Sequence, residues 1–262
     1  MLRDKQATLQ KMTAKPLPKK LNKEPLVDAV FEIRFSSSIP VSSVLPGFLF
    51  ARINDGDKKI ERLPAADIPI QMREFDPNLR FQPLLRLNWD RFLILIGDKS
   101  LAIACAIPYP GWQDFKSKII EVINILKDSR IIETVSRFSL KYVDIIEGKN
   151  LSEQIQRVNV NLNVGNHILS SEQFGIRVEI RQNDYLNIVQ IAAPSSVTLF
   201  DGQTRDGVLV AVDSISEQLT IDLTRFAEAL ADNLEAIHTS NKTMFFECLR
   251  PETITYLDPV YE

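Results

Sequence analysis

Apolar residues fall at every second position in segment after segment of this chain, which commits it to antiparallel sheet. Ala29, Phe31, Ile33 and Phe35 alternate with Val30, Glu32 and Arg34; Phe174, Ile176, Val178 and Ile180 alternate with Gly175, Arg177, Glu179 and Arg181. A period of two turns one side of each segment to a core and the other to water, as in a half-buried strand. Further β-rich runs span 80–88, 91–96, 101–107, 134–146, 158–164, 185–192 and 207–213, and a weak one at 68–73 is assigned to an edge because of Pro69. The connections Trp89-Asp90, Gly97-Asp98-Lys99 and Gln182-Asn183-Asp184 are hairpin-sized.

Helical spacing interrupts this pattern at four places. Residues 41–53 predict a short helix with Pro46 near its first turn, and Leu151–Ile155 a single turn after Gly148. Trp112, Phe115, Ile119, Val122, Ile123 and Leu126 form a longer stripe. The C-terminal helix runs through Leu223, Phe226, Leu230, Leu234 and Ile237, breaks near Ser240 and resumes over Met244–Leu249. The order strand, helix, four strands, long helix therefore occurs twice. It predicts an α+β fold of two tandem β-α-β-β-β-β-α units, with antiparallel curved sheets and long helices packed on one face. That order is similar to the duplicated fold of the TATA-box-binding protein. The corresponding division is a mobile basic arm at 1–24, α+β repeats at 25–130 and 131–250, and a tail at 251–262.

The formal net charge of −3 hides an asymmetry: residues 1–23 carry seven basic side chains against Asp4, so the arm is +6 and the remainder −9. An acidic body argues against a wholly basic nucleic-acid-binding surface. The 45% hydrophobic content excludes a disordered chain, and two cysteines exclude a disulfide scaffold. No apolar run exceeds strand length, which predicts a cytoplasmic protein without a membrane segment, with Cys105 and Cys248 as reduced thiols. The nine scattered glycines form neither a dinucleotide fingerprint nor a phosphate-binding loop, so no cofactor is expected.

Three further segments carry a resemblance. Pro25-Leu26-Val27 leading into Phe31-Glu32-Ile33-Arg34-Phe35, then Tyr109-Pro110-Gly111-Trp112 with Phe115, then Arg137-Phe138-Ser139-Leu140-Lys141-Tyr142, resemble a sporadically distributed family of prokaryotic proteins of about this length. Lys141 stands where that family pattern has arginine, and Asp144 near its asparagine. The resemblance spans most of residues 25–250 and implies no particular activity.

Candidate chemistry is sparse. His167 lies in a polar loop and His238 at the predicted end of the last helix, where an imidazole caps carbonyls. Neither has Cys or carboxylate at ligand spacing, so no metal site is expected. Tyr109, Trp112 and Phe115 have the spacing of a core stripe, and acid pairs such as Asp213 with Asp222, or Asp76 with Asp90, meet only by chance. Without a positioned constellation an enzyme ranks third, and a bound metal or a dry, carboxylate-lined pocket would reverse that order.

One sheet face stands out. With Phe138, Leu140 and Tyr142 inward, alternation puts Arg137, Ser139, Lys141, Asn159, Asn161, Asn163, Arg177, Glu179 and Arg181 outward, a +3 surface. Together with Lys19 and Lys20 of the arm it predicts a partner-binding surface. The first expectation is a non-catalytic protein-interaction module, of the kind found in toxin–antitoxin or phage-defence pairs. The alternative is a nucleic-acid-binding protein that uses the polar face and the arm.

Overall fold

A computed structural model describes residues 16–52, 59–199, 202–217 and 219–261. Residues 1–15 of the predicted arm lie outside the described residues. The chain enters through β1 (Lys20–Leu21) and β2 (Leu26–Ser36), then α1 (Val41–Arg52), β3 (Ile60–Arg62), a 3-10 turn at Pro64–Asp67 and α2 (Ile70–Phe75). The hairpins of β4 (Leu85–Trp89), β5 (Phe92–Ile96) and β6 (Ser100–Cys105) lead to α3 (Trp112–Ser129). Next come β7 (Thr134–Glu147), α4 (Leu151–Arg157), the small hairpin of β8 (Asn163–Val164) and β9 (His167–Ile168), then β10 (Phe174–Gln182), β11 (Tyr185–Thr198) and β12 (Thr204–Ser216). The chain closes with β13 (Ile221–Asp222), α5 (Leu223–Glu228), α6 (Leu230–Glu247), α7 (Pro251–Tyr256) and β14 (Pro259–Val260).

An antiparallel sheet of order β10-β11-β12-β7-β2-β6-β5-β4-β3, with β13 attached to β7, runs through both halves. Its centre is the β2–β7 pair, where Phe31 faces Leu140 and Ile33 faces Phe138. Outward from that pair the two halves follow one rule: the last strand of each half lies beside its first, and earlier strands follow in reverse order. The helices α1, α3, α4, α5 and α6 bury their apolar stripes on one side of this sheet. Phe31, Ile33, Phe115, Ile119 and Phe226 lie in one core cluster, and Val189, Val210, Val212, Met244 and Leu249 in a second. The side opposite the helices carries the other parity, including Glu32, Arg34, Lys141 and Asp213.

Four expectations are corrected. Residues 68–73 are not a strand: Pro69, with φ −53°, sits at the start of α2, and the sheet edge is taken by Ile60–Arg62. The run 80–88 becomes strand only from Leu85. The 158–164 run never joins the large sheet. Asn is a poor strand former, and the Asn159 backbone N–H donates to Cys248 O at 2.7 Å while its Nδ2 donates to Glu247 O at 3.3 Å, which holds the segment against the end of α6. Three strands on the main path of the large sheet, β10, β11 and β12, therefore follow α4, not four. The C-terminal helix breaks at Ala229, between α5 and α6, and continues unbroken through the buried Ser240. Pro46, in addition, lies in the second turn of α1.

The short helix α4 forms as its sequence predicts. Asn150 Oδ1 accepts the Glu153 N–H at 2.9 Å, and Glu153 Oε2 accepts the Lys149 N–H at 3.0 Å. Helix α6 is fastened to the middle of the sheet by Asn241, whose Nδ2 donates to Leu140 O and Val212 O, both at 2.9 Å, and to Ser214 Oγ at 3.1 Å. Ser214 Oγ donates in turn to Asn187 Oδ1 at 2.6 Å, so a buried polar chain links α6 to three strands. Asn241→Leu removes the donor and orphans its acceptors. The expected loss is about 1–3 kcal/mol in urea unfolding, with the far-ultraviolet spectrum retained.

Candidate functional site

The predicted partner-binding residues separate into three groups. Arg137, Lys141, Arg177 and Arg181 do share the face away from the helices. Asn159, Asn161 and Asn163 do not: they lie off the large sheet, in the segment between α4 and β8 and in β8 itself. Lys19 and Lys20 are exposed on a strap that ends in β1, which pairs with β14 at the C-terminus.

Charge on the sheet face is compensated where it stands. Arg137 lies 3.8 Å from Asp213, Arg177 2.7 Å from Glu179, Arg181 3.0 Å from Glu217, and Arg34 2.8 Å from Glu32. Lys141 acts on Asp28 and Asp213. Burial raises the Asp213 carboxyl to about 6 against the pull of Arg137 and Lys141, and burial together with Arg34 lowers the Arg137 guanidinium. The predicted +3 is thus offset by acids at arm's length, some of which strand parity does not bring into view.

The edge of this sheet has a different character. Strand β10 pairs with β11 only, and the two-residue turn at Asn183-Asp184 sets the ladder. Counted from that turn, Gln182, Ile180, Val178 and Ile176 exchange hydrogen bonds with β11, so the backbone groups of Arg181, Glu179, Arg177 and Gly175 point outward. Among the described residues nothing pairs with them. On the helix side of the same edge, Val178 is 44% exposed and Ile180 37%. With Ile176, Val189, Ile191 and Met244 they line a groove of about 390 Å³.

Behind the strap lies a cavity of about 480 Å³, bounded by residues 18–26, the Tyr109–Trp112 turn, β7 and α6. The strap is tied down: Lys19 N donates to Val260 O at 2.6 Å, Asn22 N to Asp258 O at 3.0 Å, and Arg205 Nη1 to Glu24 O at 3.1 Å. Trp112 is locked by its Nε1, which donates to both Glu235 carboxylate oxygens at 3.1 and 3.2 Å, and it stacks on His238 with centroids 3.9 Å apart and planes 4° apart. The Tyr109 and Tyr142 hydroxyls are 3.0 Å apart, and burial raises both phenols. His238 is mid-helix, not terminal, and burial, helped by Lys242, lowers it to about 4, so the ring is neutral near pH 7. Tyr109 and Trp112 are half-buried pocket walls, and only Phe115 is the core residue their spacing predicts.

Asp144 is the anomaly of the cavity. It is 6% exposed, lines the cavity and has no hydrogen-bond or ion-pair partner among the described residues. Burial and then the neighbouring acid Glu24 push its carboxyl well above the ordinary range, and burial also raises Glu24. The sequence carries a signal for it: Leu140, Tyr142, Asp144 and Ile146 share one parity, which puts an acid on a core-facing row. The other acid pairs do not assemble: Asp213 meets Arg137, Asp222 caps α5 through Arg225 N, and Asp76 accepts from Asn78 N.

No protein-family model and no curated protein matches the chain. Among the described residues no helix is long and apolar enough to cross a membrane, and no group of three His, Cys, Asp or Glu is placed to hold a metal.

Burial of Asp144 makes stability pH-dependent in a definite direction. Its pKa is raised in the fold from an unfolded value of about 3.9, so its contribution is fully present below about pH 4 and is lost as pH rises through the folded value. Asp144→Asn is expected to match the wild type in thermal unfolding near pH 4 and to exceed it by about 1–3 kcal/mol at pH 8. A variant that is less stable at both pH values contradicts this account.

Proposed function

We propose that the protein is a non-catalytic protein-interaction module that receives an extended segment of a partner along the outer edge of β10. The observation that carries this reading is the nine-residue strand with outward N–H and C=O groups and an uncovered apolar strip beside them. An added strand would satisfy that backbone, as in β-augmentation, and lay its alternate apolar side chains in the Val178–Ile180 groove. Its other face would meet Arg177, Glu179 and Arg181, so the fitting partner carries charges of the opposite order. At the far end of the sheet the edge strand β3 has only three residues, a short edge of the kind that resists pairing.

The same reading includes the duplication. A shared strand order on both sides of the β2–β7 pair supports two repeats related by a pseudo-twofold between those strands, in the manner of the TATA-box-binding protein. The first repeat then has five strands in the large sheet and the second four on the main path, and the outer edge of β10 is the place that β3 fills in the first. Paired arginines weigh against a phosphate-binding face, since a neutralised guanidinium releases no counterions. The cavity acids come without a nucleophile and base in hydrogen-bond reach, which weighs against catalysis.

Glu179→Pro tests the edge, because it removes an outward N–H and leaves the inner ladder intact. A stoichiometric protein from the native host should be held by the wild type and by Glu179→Gln and lost by Glu179→Pro. Amides 177, 179 and 181 should exchange more slowly in the complex. Equal retention by Glu179→Pro overturns the reading, as does retention of nucleic acid or of a second copy instead.

A further inference from the structure

We propose that the cavity behind the strap is a binding site for a small organic cation with a flat apolar body, an arylalkylamine or amidine, whose charged nitrogen is received by Asp144 and Glu24. This goes beyond the β10 reading and does not depend on it.

Asp144 motivates the assignment. The residue is 6% exposed and makes no hydrogen bond, and its oxygens are not among the fully enclosed unpaired polar atoms, so what access they keep is to the cavity that Asp144 lines, where a bound donor could meet them. The charge that acts on it is that of Glu24, a second acid. Lys19, Lys20 and Lys242 also line the cavity, but Lys20 acts with Arg205 on Glu24 and Lys242 acts on His238, and none of these cations acts on Asp144. The walls suit a flat body: the Trp112–His238 stack is held rigid by Glu235, and the Tyr109 ring meets Tyr142 edge-on at 6.0 Å. Aromatic faces attract a desolvated cation, and His238 is neutral and does not compete with it. A volume of about 480 Å³ lies in the usual range for small-ligand sites.

A divalent metal ion fits less well. Hard cations take six or more oxygens in a defined geometry, and no group of three acidic, histidine or cysteine ligands is placed for one among the described residues. An inorganic or organic anion would face two carboxyls.

The test is calorimetric titration of the full chain with phenethylamine, tryptamine and benzamidine, compared with 2-phenylethanol, phenylacetate and MgCl2. At least one amine should bind saturably, ten or more times tighter than 2-phenylethanol, and phenylacetate and Mg²⁺ should give no saturable heat. Asp144→Asn should weaken the amine tenfold or more, and Glu24→Gln should weaken it less. Both variants are expected to fold, and Asp144→Asn to gain stability at pH 8, so lost binding cannot be ascribed to unfolding. The proposal is overturned if no amine binds at 20 mM, if the alcohol or phenylacetate binds as tightly, if Mg²⁺ alone saturates the site, or if Asp144→Asn leaves amine binding unchanged.

Discussion

Everything in this structure is referred to the antiparallel pairing of β2 with β7. The two strands come from opposite halves of the sequence, yet their ladder runs from Leu26 facing Asp144 to Ser36 facing Thr134. Without that ladder each half would keep an open inner edge and a helix layer with half a floor. With it, the two sets of strands become one surface, and α3 and α6 find a common platform. The pair also sets parity for its neighbours. Once Phe31 and Leu140 face the helices, Glu32 and Ser139 must face the other way, and the hairpins on either side inherit the choice.

That central pairing also creates the cavity. Tyr142 and Asp144 lie on the helix-facing row of β7, close to the point where the two core clusters meet. There α6 is held by Asn241 and the α3 start by Trp112, and the space between them is closed by the strap instead of by apolar packing. An unpaired carboxyl at the seam works against stability. The polar chain from Asn241 through Ser214 to Asn187 satisfies most of its members and leaves Asn187 Nδ2 without a partner, whereas Asp144 makes no hydrogen bond and lines the cavity instead.

Several elements are legible in the residue pattern alone. Periodicity places α3, the β10–β11 hairpin and the central strands because a two-residue turn or an apolar stripe is local information. The failures share one cause. The 158–164 run alternates as cleanly as any strand, but whether its backbone finds a ladder or the end of α6 depends on residues some ninety positions away. Ser240 suggests a helix break because serine is a weak helix former, but its environment is a buried helix interior where packing overrides propensity. The +3 face fails because strand parity counts a side chain's direction and not its neighbours, and Glu217 and Asp213 reach the arginines from other parts of the chain.

Composition and period by themselves determined an α+β chain built on antiparallel hairpins, with two long amphipathic helices; the parity of Asp144 is present in the sequence, but nothing there marks that acid as a site. Only the tertiary structure decided which edge stays open, which charges cancel and what surrounds that acid. The reason is range: side-chain direction along a strand follows from the backbone alone, whereas burial, ion pairing and a cavity wall are set by groups brought together from distant parts of the chain. Glu24, Trp112, Asp144 and His238 acquire their common environment only when the two halves close along β2 and β7.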